Sequence, residues 1–84
     1  MQNLKNPDLL VAFGKHLRSL RKKKNLSMKH LADVANIEYS QIARIERGVI
    51  NTTVTTAHAI AKALEISFYK LFEFELPEKK KKGK

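Results

Sequence analysis

The stretch from Met28 to Arg47, MKHLADVANIEYSQIARIER, decides the fold of this chain. Leu31, Ala35, Ile37, Ile42 and Ile45 are apolar at helical spacing, and Asn36 stands between the two runs. Two helices crossing at about 90–120° over a short turn need this arrangement. Ala32 must be small because the second helix passes close to its Cβ. Asn36 must tolerate positive φ, which Gly and then Asn do at least cost. Ile37 plugs the turn into the core. Ser27 is placed to cap the first helix, with Leu31, Val34 and Ala35 as its inner face. Glu38 is placed to cap the second, from Tyr39 to Arg47, with Ile42 and Ile45 inward and Gly48 as terminator. Each of these positions answers a separate steric demand, so a chance helical hairpin is a poor explanation.

Helical spacing continues on both sides. Upstream, Pro7 and Asp8 suit a first turn, and Leu10, Phe13, Leu17 and Leu20 form one stripe. That helix closes in Arg21 to Lys24, where cations meet the negative end of the dipole, and Asn25 suits a left-handed end. Downstream, Val49 to Thr52 reads as a loop, and Thr53 caps a helix through Leu64 with Val54, Ala57, Ile60, Ala61 and Leu64 apolar. Ser67 opens a fifth helix, predicted from Phe68 to about Leu76 and stopped by Pro77. The expectation is an all-α, compact five-helix domain over residues 7–76, with residues 1–6 as a flexible arm and residues 77–84 as a disordered lysine-rich tail.

The chain has 84 residues, enough for one small domain, and its 43% hydrophobic content suffices for a core. It has no cysteine, which excludes disulfides, thiolate metal sites and cysteine nucleophiles. Seventeen Lys and Arg against eight Asp and Glu give +9, which favours a polyanionic partner. Lys79 to Lys84 contribute much of this, yet the chain remains net basic without them. The tail reads as a solubilising end or as added non-specific attraction to phosphate. The apolar run from Leu9 to Gly14 is too short for a signal-peptide core, and nothing approaches a membrane span. The expected location is cytoplasmic and nucleoid-associated.

The residues quoted above, with Leu17, Leu20, Arg21, Leu26-Ser27, Leu31-Ala32, Ile45-Glu46-Arg47-Gly48, Asn51 and Ile60 to Leu64, resemble the lambda-repressor-like, or Xre, helix-turn-helix family. Ile66-Ser67 and Leu71-Phe72 extend the similarity, which spans about Phe13 to Phe72. The resemblance implies that helix three lies in the major groove of double-stranded DNA while helix two crosses the backbone. Tyr39, Ser40 and Arg44 match the family's usual base readers, and Arg44 suits guanine O6 and N7. Ser27, Met28, Lys29, Gln41, Arg47, Asn51 and Thr52 are the expected backbone or edge contacts, with Lys22 and Lys24 beside them. The chain departs from the family at Met28 and His30, where Gln and Glu are common. Met28 cannot donate to phosphate, and Lys29 is the expected replacement. Arg21 and Glu46 match a structural ion pair joining helices one and three.

Four of the six aromatics fall in helix five. A domain this small can hardly cover Tyr69, Phe72, Phe74 and Leu76 together, so they are assigned to a homodimer interface. The resulting reading is a sequence-specific DNA-binding transcriptional regulator, repressor or controller in type, using two half-sites. The alternative is an antitoxin-like protein whose main partner is another polypeptide. No enzyme is expected. Ser27, His30 and Asp33 list a nucleophile, base and orienter, but Ser27 is better explained as a cap. His16, His30 and His58 are scattered, so no metal is expected, nor any cofactor, small-molecule ligand or membrane partner.

Overall fold

The computed structural model describes residues 6–77. Five helices follow one another: α1 (Pro7–Lys23), α2 (Met28–Ala35), α3 (Tyr39–Arg47), α4 (Val54–Leu64) and α5 (Phe68–Leu71). The described residues contain no strand. The lysine-rich tail from residue 78 and the first five residues of the arm lie outside the described residues. Asn6, the last residue of that arm, accepts from the Leu9 amide and caps α1.

Short polar caps start the helices and a repeated stop ends them. Ser27, Thr53 and Ser67 each accept from the amide three residues on, His30, Thr56 and Lys70. Glu38 occupies the cap position of α3 with extended backbone, but its side chain makes no capping bond. At the other ends, Asn25, Asn36, Gly48 and Glu65 take left-handed backbone, φ 58°, 61°, 74° and 59°. The next amide closes back on the helix each time: Leu26 to Arg21, Ile37 to Ala32, Val49 to Arg44 and Ile66 to Ala61. Leu26, Ile37 and Ile66 then pack on the core, so one local motif both stops the helix and anchors the turn.

The core is built from Leu17, Leu31, Ile42, Ile45, Ile60, Leu64 and Leu71, all essentially inaccessible. Each main helix supplies at least one of them, which is how so short a chain closes a core. The helix pair α1 and α3 makes the most extensive contact. Gly14 explains it: a Cβ there would stand 2.6 Å from the Ile45 carbonyl oxygen and nearer still to that of Glu46. Gly48 repeats the close approach, for its Cβ would meet Val11 Cα at 2.6 Å.

Four expectations need correction. Val34 does not line the inner face of α2; it is 55% exposed above a shallow cleft shared with Ala35, Ala59 and Ala63. The facing α4 residues are too small to cover it, and Ala32 takes the buried place. Val54 is also exposed, since it opens α4 a turn ahead of the Ala57, Ile60 and Leu64 line. Leu10 of the α1 stripe is only half-buried. Most important, α5 ends at Leu71 rather than near Leu76. A continued helix would carry Phe74 off the line of Phe68 and Leu71. The chain turns instead, and Phe74 packs on Phe13 and His16, ring centres 6.1 and 5.2 Å away. His16 secures this return by donating from Nε2 to the Lys70 carbonyl at 3.0 Å.

Candidate nucleic-acid interface

Helix α3 buries one stripe and offers the other. With Ile42 and Ile45 in the core, Ser40, Arg44 and Arg47 follow at four- and three-residue steps along the exposed face. Tyr39 flanks that face at the start of the helix and is half exposed. Gln41 lies on the opposite flank, half-buried, over a cleft it shares with Ala32, Asn36, Ile37 and Thr56. Thus Ser40, Arg44 and Arg47 share one exposed face of α3, while Tyr39, exposed at its first position, also borders the cleft that Gln41 lines.

Arg21 fixes the angle of that surface. Its Nε and Nη2 donate to the two carboxylate oxygens of Glu46 at 2.6 and 3.0 Å, and its Nη1 donates to the Leu26 carbonyl at 2.8 Å. One guanidinium therefore joins α1, the α1–α2 turn and α3. Both side chains are under a tenth exposed. The hydrogen bonds that Arg21 donates to Glu46 hold the Arg21 pKa above its ordinary value against the opposing effect of burial.

The start of α2 and the loop before α4 frame the same region. Ser27 spends its hydroxyl oxygen on the His30 amide, while the amides of Met28 and Lys29 belong to the open first turn. Lys29 is exposed and reaches Asp33 at 3.4 Å, four residues along its own helix. Lys22 and Asn51 are exposed. Lys24 lies over another cleft, with His30, Val34 and Glu65 on the α4 side. Among the described residues, Thr52 alone has a buried side-chain oxygen without a hydrogen-bond partner. Thr52 itself is half-buried and lines a cleft with Leu9, Phe13 and Phe72. Thr52→Val should accordingly raise stability by about 1 kcal/mol, since it removes a desolvated group that has no partner. Urea denaturation measures the change, and a loss of stability would refute the burial of that oxygen.

Of the predicted dimer residues, Tyr69, Phe72 and Leu76 are exposed, at 83%, 46% and 67%. Phe74 is not available in the same way, being packed against α1 as described above. Phe72 itself stacks on Phe13 at 5.5 Å with its outer part open. Among the described residues there is no group of three His, Asp or Glu able to hold a metal ion. No described helix is long and apolar enough to cross a membrane.

Sequence reading missed Gly14, whose signal was a residue without a side chain inside an apolar helical stripe. It also missed Arg18, an exposed α1 residue that shares a cleft with Arg47.

A short helical pair with a fixed crossing and an exposed basic second helix defines a helix-turn-helix DNA-binding domain. Residues 17–71 match the helix-turn-helix family model. Control protein C.SmaI of Serratia marcescens is 34% identical over 64 residues, 76% of this chain and 76% of that protein. The immunity repressor protein of Bacillus phage phi105 is 38% identical over 56 residues, 67% of this chain. This chain spans only 39% of the phage protein's length. Among solved structures, the restriction-modification controller protein C.AhdI from Aeromonas hydrophila superposes with a TM-score of 0.74 at 38% identity, covering 75% of this chain and 96% of that one. The chain belongs to the helix-turn-helix family of DNA-binding transcription regulators.

Proposed function

We propose that this regulator acts as a homodimer on two half-sites in double-stranded DNA, with α3 in the major groove, as a repressor or controller. The observation that carries the reading is the exposed line of Ser40, Arg44 and Arg47 on a helix whose orientation the Arg21–Glu46 pair fixes. Tyr39, Ser40 and Arg44 read bases, and Arg44 grips a guanine through its paired donors. Ser27, Met28, Lys29, Gln41, Arg47 and Asn51 lie around the groove edge and backbone, with amides at the start of α2 favouring an anion. The exposed apolar group of Tyr69, Phe72 and Leu76 supports pairing at the C-terminal end. Two-fold pairing sets half-sites about one helical turn apart. The relatives named as a control protein, an immunity repressor and a controller support the same regulatory class.

Binding selection from a random duplex pool at fixed salt tests the reading. Wild type should return two related half-sites. Arg44→Ala should lose preference at one base pair of each, a change of about 1–3 kcal/mol, while keeping non-specific binding. Identical consensus sequences for the two proteins would remove Arg44 from base reading, and a single unpaired site would remove the dimer.

A further inference from the structure

Resting on that reading and extending it, we propose that Arg18 of α1 and Arg47 of α3 form a clamp for one backbone phosphate of the bound duplex. Both arginines are exposed, and both line a cleft of about 220 Å³ between α1, α2 and α3, together with Arg21, Met28, Ala43 and Glu46. Glu46 decides the charge of this cleft. It is the only carboxylate in the lining, and both of its oxygens are already taken by Arg21. It therefore neutralises Arg21 and leaves Arg18 and Arg47 uncompensated. Among the described residues neither has an ion-pair partner.

Two guanidinium groups facing one cleft repel each other until an anion lies between them. Their planar donor forks match phosphate oxygens. The remaining lining is chosen consistently with this. Met28 and Ala43 bring no charged side-chain group to compete for the arginines, and the Met28 side chain has no donor for a phosphate. Lys29, next along α2, leans toward Asp33 instead. Arg18 adds a side-chain donor at this edge of the interface from α1. Ala43 lies on α3 between Ser40 and Arg47, so a phosphate held here sits beside the base-reading line and fixes its register on the duplex. In this arrangement α1 belongs to the interface as well as to the core.

The test uses the full chain and its selected duplex. Arg18→Ala, at an exposed position, should keep the helical content and the consensus of the wild type. Its affinity should fall about tenfold at low salt, and the slope of log affinity against log salt should become shallower by about one. Arg18→Lys should restore the slope but only part of the affinity. Duplexes carrying a single neutral methylphosphonate should reveal one position that weakens wild type and leaves Arg18→Ala unaffected. If wild type selects and binds a duplex while Arg18→Ala shows the same slope and the same methylphosphonate profile, the clamp is wrong and the DNA-reading assignment stands. If wild type selects no duplex at all, the underlying reading fails and takes the clamp with it.

Discussion

Glu46→Ala is expected to destabilise the domain by about 3–5 kcal/mol, a large share of the stability of any small domain. The loss does not measure what the ion pair contributes. It arises because Arg21 stays behind, charged, under a tenth exposed, and with only the Leu26 carbonyl as a remaining partner. Chemical denaturation of the variant, followed by circular dichroism, reads the effect. A loss below about 1 kcal/mol would mean that Arg21 swings out to water, and the rigid connection between α1 and α3 would be lost as an explanation. The double variant Arg21→Met with Glu46→Leu separates stability from orientation. Apolar replacement of a whole buried pair is often neutral or favourable, so this protein should recover most of its stability. Its DNA affinity should remain low, because nothing then specifies the angle at which α3 leaves the core.

The sequence made α2, α3 and the turn between them legible for a specific reason: their constraints are local. Asn36 at positive φ, Ile37 behind it and Ser27 ahead of α2 each act within a few residues, and each is found as read. The end of α5 was not legible because it depends on partners far along the chain. Nothing between Phe68 and Pro77 forbids a helix, and only the positions of Phe13 and His16 make the turn at Phe72 preferable. Val34 fails likewise, since its exposure follows from the small residues of α4 opposite it rather than from the pattern of α2. At the interface, residue types and helical phase gave the exposed face of α3. They placed Thr52 among the edge contacts but carried no sign that its hydroxyl oxygen is buried, which depends on the conformation of the loop. They were silent on Arg18, which becomes interesting only when Glu46 is seen to be fully engaged by Arg21.

Gly14→Ala is expected to cost about 2–3 kcal/mol despite improving the intrinsic helix tendency of α1. Two effects oppose each other here. Alanine in a helix interior gains about 1 kcal/mol over glycine. Against it stands a Cβ placed 2.6 Å from the Ile45 carbonyl oxygen and 2.8 Å from the Glu46 carbonyl carbon. Those atoms are backbone at the closing turn of α3, where the Ile45 carbonyl already accepts from the Gly48 amide at 3.0 Å. They cannot rotate aside as a side-chain tip would, so α1 and α3 must separate. Separation also stretches the Arg21–Glu46 contact, which bridges the same two helices. Gly14→Ala and Glu46→Gln should therefore be less than additive when combined, because either one alone loosens the shared interface. Thermal and urea unfolding of the two single variants and the double provide the measurement. A stabilised Gly14→Ala protein would show that helix tendency wins and that the two backbones do not meet, while strict additivity would show that the glycine contact and the ion pair hold α3 independently.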